Sequence, residues 1–141
     1  MRSAPFAELS THELYGLCRL RVDVFVVEQR CPYPELDGRD VEPETVHLWF
    51  EADGEPIATV RVLRGEAGRV IGRVATAAAY RNRGLAGRLL DAAIELCAGA
   101  PISIGAQAYL ESWYERFGFR RSGPGYIEDG IPHIPMNRPG S

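Results

Sequence analysis

The sequence predicts an α/β (α+β) fold: a central mixed, mostly antiparallel sheet of about six to seven strands with one parallel pair, flanked by helices. Three observations carry this. Val46–Ala52, Ile57–Leu63 and Arg69–Thr76 are apolar, β-branched runs separated by Asp53-Gly54-Glu55-Pro56 and Arg64–Gly68, the pattern of an antiparallel meander. The third run leads through a small-residue loop into a helical pattern and then into Pro101–Gly105, a crossover that makes those two strands parallel. Further segments repeat apolar residues at helical spacing.

The 141 residues are read as one domain, 1–141, long enough for a single core. A formal charge of −3 argues against a nucleic-acid-binding body, which carries a basic excess. Cys18, Cys31 and Cys97 are odd in number, far apart and not at metal-ligand spacing, which suits free thiols in a reducing compartment and predicts no metal. No apolar run approaches a membrane span, and the N-terminus lacks a signal-peptide pattern, so a cytoplasmic protein is expected.

In chain order, Phe6–Leu9 reads as a short first strand. Ser10-Thr11-His12-Glu13 is a capping box. The helix it opens carries Leu14, Leu17, Cys18, Arg21, Val24, Phe25 and Glu28, and must stop by Cys31-Pro32 because proline pushes its predecessor out of the α region. Pro32–Pro43, with Glu35, Asp37, Asp40 and Glu42, reads as an irregular acidic loop. After the meander, a helix places Leu85, Leu89, Ala93 and Cys97 on one face. Ala106–Phe117 reads as a second amphipathic helix capped by Gly118. Phe119–Arg121 and a run near Ile131–Met136 close the sheet.

The stretch Tyr80–Gly87 carries the chemistry. A strand turning through small residues into a helix leaves backbone N–H groups unpaired at the positive end of the helix dipole, an anion site. Gly84 and Ala86 keep side chains clear, and Arg81, Arg83 and Arg88 add positive charge. An ordinary turn with solvated arginines explains the same residues. Neither the Gly-Lys-Ser/Thr ending nor the Gly-x-Gly-x-x-Gly of other phosphate loops is present.

Arg81-x-x-Gly84-x-Ala86 resembles the acyl-CoA signature of the GCN5-related N-acetyltransferases (GNAT), and Tyr114-Glu-Arg-Phe-Gly-Phe119 resembles the second signature of that family. Leu20–Tyr33, Ile71–Val74, Gly105–Ala108 and Glu128–Ile134 are similar to the ElaA-type branch. The resemblance implies the GNAT fold, with the parallel pair splayed around acetyl-CoA as co-substrate. It implies that Arg81, Asn82, Arg83, Gly84, Leu85, Ala86 and Gly87 hold the diphosphate, and that the backbone of Val74, Ala75 and Thr76 pairs with the pantetheine arm and polarises the thioester. Gln107 stands where many members have asparagine, and Tyr114 matches the tyrosine that protonates the departing thiolate. Core packing beside Leu110 and Phe117 also accounts for Tyr114.

An amine acceptor must lose a proton, and Glu28, His47, Glu128, Asp129 and His133 are the candidate bases. His133 is the best single choice, and Glu28 is kept as a catalytic candidate. Each has a structural explanation too, Glu128-Asp129-Gly130 as a hairpin turn for instance. Arg21, Arg73 and Glu28 are expected as an ion network under the acceptor pocket. The acidic loop either attracts a cationic acceptor or is solvated surface. Cys31 reads as a structural thiol. The sequence reading is an N-acyltransferase passing acetyl from acetyl-CoA to a primary amine in a ternary complex, with no nucleic acid or membrane partner and either a monomer or a homodimer. A non-catalytic acyl-CoA sensor and an acyl-homoserine-lactone-synthase-like enzyme are the alternatives.

Overall fold

The computed structural model describes all 141 residues. β1 (Arg2–Pro5) pairs antiparallel with β2 (Val46–Ala52), Arg2 facing Trp49. The first strand thus precedes the expected Phe6–Leu9. Phe6–Glu8 instead forms a 3-10 turn closed by Leu9 N–H on the Phe6 carbonyl at 3.1 Å, which redirects the chain toward Ser10.

α1 (Thr11–Val22) begins with the capping box: Glu13 N–H donates to Ser10 Oγ at 3.0 Å, and Ser10 N–H donates to Glu13 Oε1 at 2.9 Å. Ser10→Ala is expected to cost about 1 kcal/mol, read as a lowered midpoint in thermal unfolding. Gly16 allows α1 to lie close on the sheet, because a Cβ there would sit 2.7 Å from Pro56 Cδ. The α-helix ends at Val22, and the chain continues as a π-helical turn, Asp23–Glu28. Cys31 N–H closes this segment on the Val26 carbonyl at 3.0 Å.

β2, β3 (Glu55–Arg64) and β4 (Arg69–Thr76) form the expected meander. α2 (Leu85–Leu96) crosses to β5 (Ile102–Gln107), which is parallel to β4. The expected helix Ala106–Phe117 is shorter than the apolar pattern suggests. Ala106 and Gln107 stay in the sheet opposite Ile134 and His133, and only Glu111–Glu115 is α-helical (α3) after a 3-10 turn at Ala108–Leu110. Ladder pairing overrides the local helical preference of the alanines. Gly118 (φ +91°) closes the helix end as anticipated, its N–H bonding the Glu115 carbonyl at 3.1 Å.

β6 (Arg120–Arg121), β7 (Tyr126–Glu128) and β8 (Ile131–Arg138) complete an eight-stranded sheet in the order β1-β2-β3-β4-β5-β8-β6, with β7 on β8. Asp129 and Gly130 (φ +51° and +78°) form the β7–β8 turn, in which both central residues need positive φ.

Alternation along the strands sorts the two faces. Leu48, Val60, Val62, Ile71, Ile104 and Met136 meet Leu89, Leu90 and Ala93 of α2 in the main core. Each fully buried leucine contributes about 1.5–3 kcal/mol. The opposite face, under α1, mixes apolar side chains such as Trp49 and Leu63 with buried polar ones, Arg21, His47, Thr59 and Arg61.

Candidate active site

β4 and β5 pair at only two positions, Arg69 with Ile102 and Val70 with Ser103. The cause lies on the other edge of β4. Arg61 pairs with Gly72 and Thr59 with Ala75, so Arg73 and Val74 together face Val60. That extra residue is a β-bulge, with Arg73 at φ +52°, and a bulge bends and twists its strand. From Ile71 onward the β5-facing edge of β4 has no ladder partner.

The opening is a channel of about 1060 Å³ that passes through the sheet. Leu85, Gly87 and Tyr114 line it on the α2 side, and Tyr33, Tyr126 and His133 on the α1 side. Every candidate catalytic or cofactor-binding residue except Arg83 and His47 lines this one channel. A depression of about 640 Å³ between Arg39, Glu44 and Arg64 shares Arg39 and Val70 with the channel but holds none of the candidate residues.

At the α2 end, Gly84 (φ +74°) is the N-cap residue and provides no side-chain cap. The first helical hydrogen bond is Arg88 N–H to the Gly84 carbonyl, 3.1 Å, and no backbone carbonyl takes the N–H groups of Leu85, Ala86 and Gly87. A Cβ built on Gly84 meets nothing within 4 Å, so the space before the helix is open. The unpaired donors, the open space and the left-handed Asn82 (φ +63°) together are an arrangement that can receive an anion. Arg83 lies over the Tyr80 ring at 5.1 Å, and Arg88, which is exposed, lies over Phe50 at 4.7 Å.

Tyr114, on α3, is packed edge-on against Trp113 (4.9 Å between ring centres) and Phe119 (6.0 Å). Burial pushes its hydroxyl up to about 12, so it keeps its proton throughout the neutral range. Packing and channel lining are both true of this residue.

On the α1 side, His133 Nδ1 lies 2.7 Å from the Ile131 carbonyl. A carbonyl only accepts, so Nδ1 carries the hydrogen and a neutral ring keeps its lone pair on Nε2. Glu128 Oε2 is 4.0 Å from that Nε2, and Tyr126 stacks on the ring at 5.6 Å. Sequence reasoning missed Tyr126, although a two-residue Asp129-Gly130 turn already puts it opposite His133.

Glu28 and His47 sit differently from a free base. Both Glu28 oxygens accept from Arg81, at 2.5 and 2.6 Å, and these bonds hold its carboxyl below the usual range. His47 is buried 3.2 Å from the Asp40 carbonyl, and its burial pushes the imidazole pKa down. Asp129 offers its carbonyl to the Cys31 thiol at 3.1 Å.

The ion network differs from the expected one. Arg21 contacts Glu35 (2.7 Å) and Asp40 (2.6 Å), Arg61 contacts Asp37 (2.9 Å) and Asp40 (3.2 Å), and Arg73 contacts Glu35 (2.7 Å) and Asp37 (3.3 Å). Glu28 takes no part. Of the acidic loop's four carboxylates, Glu35, Asp37 and Asp40 pair with arginines from α1, β3 and β4, while Glu42 pairs with Arg39 at a partly exposed site. Burial raises Asp37, but the Arg61 hydrogen bonds outweigh it and bring the carboxyl down to about 2. Arg73 links this network to the bulge that opens the channel.

No group of three or more His, Cys, Asp and Glu side chains is placed to hold a metal, and no helix is long and apolar enough to cross a membrane. All three cysteines are free.

Residues 17–138 match the acetyltransferase (GNAT) domain family. The chain is 50% identical over 139 residues to the UPF0039 protein Rv2851c of Mycobacterium tuberculosis, covering 95% of this chain and 89% of that one. The crystal structure of an acyl-CoA N-acyltransferase from Pseudomonas aeruginosa superposes with a TM-score of 0.93 at 42% identity, covering 97% of each chain. Escherichia coli ElaA superposes with a TM-score of 0.91 at 38% identity, again covering 97% of each chain. A channel opened by a bulge, an uncapped helix start beside it and this agreement along nearly the whole chain make the protein a member of the GNAT acetyltransferase family.

Proposed function

We propose that this chain is a cytoplasmic, acyl-CoA-dependent N-acyltransferase, one catalytic domain that passes acetyl from acetyl-CoA directly to a primary amine. The observation that carries the reading is the through-sheet channel. It joins an anion cradle on one side to an imidazole with a free lone pair on the other, with a buried phenol beside it.

The residues present fit acetyl-CoA as co-substrate. The backbone amides of Arg81–Gly87 bind the diphosphate, and Gln107 and the free edge of Val74–Thr76 take the pantetheine arm as an added strand. An amide of that edge stabilises the oxyanion that forms as the amine lone pair bonds to the thioester carbon. His133 Nε2 takes the proton of the attacking nitrogen, with the Glu128 carboxylate 4.0 Å away. As the carbon–sulfur bond breaks, Tyr114 donates a hydrogen bond to the charge developing on the sulfur. Holding both substrates in one channel supplies much of the rate, and the protein contributes no nucleophile.

The test is amine-dependent thiol release from acetyl-CoA across a panel of primary amines, with coenzyme A binding followed by calorimetry. Release with at least one amine is expected, and His133→Asn lowers it about 100-fold at neutral pH without changing coenzyme A affinity. Binding without release on any amine points to a sensor; neither binding nor release removes the reading altogether.

A further inference from the structure

The end of the π-helical turn reaches both banks of the channel through two consecutive residues. Glu28 grips Arg81, in the loop that follows β4, with both carboxylate oxygens. Gln29 forms a reciprocal amide pair with Gln107, the last residue of β5, at 3.3 Å in each direction. These banks belong to the two strands that diverge. Arg81 also donates from Nε to the Thr76 carbonyl at 3.0 Å, which fastens the end of β4 to the same point. Val24 and Phe25 of the turn line the channel, and both pack in the cluster around Ala75.

Resting on the acyltransferase reading above, we propose that Glu28, Gln29 and Arg81 are positioning residues. They form a crosspiece that fixes the width of the β4–β5 opening and holds the Val74–Thr76 edge in register with His133. The guanidinium of Arg81 serves this crosspiece and is not a diphosphate ligand. Its two-pronged end is occupied by a carboxylate, and its Nε by a carbonyl. A guanidinium–carboxylate pair with two parallel bonds is geometrically specific, so it sets a distance. Its partial exposure means it contributes little to global stability. Its effect therefore falls on register, where a misplacement of about 1 Å can cost on the order of 100-fold in rate. The π-turn fits this role, since such turns recur at functional sites.

The test compares Glu28→Gln, Arg81→Gln, their double variant and Gln29→Leu by coenzyme A calorimetry, steady-state kinetics and thermal midpoint. Each single variant is expected to lower kcat about tenfold, with coenzyme A affinity within about twofold and an almost unchanged midpoint. The double variant should be no worse than either single one, the mark of two residues acting as a unit. Arg81→Gln weakening coenzyme A binding more than about tenfold, while Glu28→Gln leaves both binding and kcat intact, overturns the proposal. Additive losses in the double variant also overturn it. If the wild-type protein acylates no amine, the functional reading falls, and hydrogen exchange decides the crosspiece separately. Faster exchange at Thr76–Arg83 and at the end of β5 in Gln29→Leu supports it, and unchanged exchange refutes it.

Discussion

Tyr114→Phe is expected to slow acyl transfer by about 100-fold or more while leaving coenzyme A affinity within about twofold. The substitution removes one oxygen from a ring held by Trp113 and Phe119, so the packing survives and only the donor is lost. The structure sharpens what that donor does. A phenol of ordinary pKa, about 10, needs little tuning to serve a thiol near 8.5, but burial takes Tyr114 up to about 12. Full transfer of its proton to a solvated thiolate is uphill. The same apolar surroundings also raise the affinity of the departing sulfur for a proton, which brings the two groups back toward each other. Tyr114 then works first as a hydrogen-bond donor to charge developing on sulfur. The alkaline limb of the pH–rate profile must come from another group, because Tyr114 does not ionise below the region of its raised value. An alkaline limb near 10 that vanishes in Tyr114→Phe would contradict this. The stability consequence has the same sign. A pKa raised on folding stabilises the protein below about 10, and that contribution is lost as pH rises through about 12.

Arg21→Met should produce the largest loss of stability, about 3–5 kcal/mol, or roughly 10 °C in thermal midpoint for a domain of this size. The methionine fills much of the space, so the loss comes from charge and not from a cavity. Glu35 and Asp40, with side chains 2% and 10% exposed, lose the guanidinium that bonds them both. A change below about 1 kcal/mol in denaturant unfolding would show that water or Arg61 compensates. Acid should reach the same network in the wild-type protein. Burial alone would raise Asp37 and Asp40, yet their arginine hydrogen bonds leave both below the ordinary 3.8. Their stabilisation is therefore complete above about pH 4 and is lost as pH falls toward 2. Because Arg73 shares Glu35 and Asp37, acid also loosens the bulge that separates β4 from β5.

What was legible in the sequence was local. Ser10 and Glu13 sit one helical turn apart, so their reciprocal bonds follow from spacing. The same holds for the uncapped start at Gly84, where a strand, small residues and a helix are contiguous. The failures came where neighbours in sequence are not neighbours in space. Ala106 and Gln107 have helical company along the chain, but Ile134 and His133 hold them in the sheet. The charge pairing of Glu35, Asp37 and Asp40 was not legible because their arginine partners lie on three other elements.

Taken by itself, the sequence determined the meander and the uncapped helix start at Gly84, which depend on contacts within about one helical turn or one hairpin, and the crossover, whose parallel pairing follows from the order of strand, helix and strand. Only the tertiary structure decided which charges are partners. Glu28 and Arg81, 53 positions apart, close on one another, and the Glu35–Asp40 carboxylates turn inward. A charged side chain leaves no periodic trace of its partner along the chain, and whether it meets water or an opposite charge depends on where distant backbone brings it.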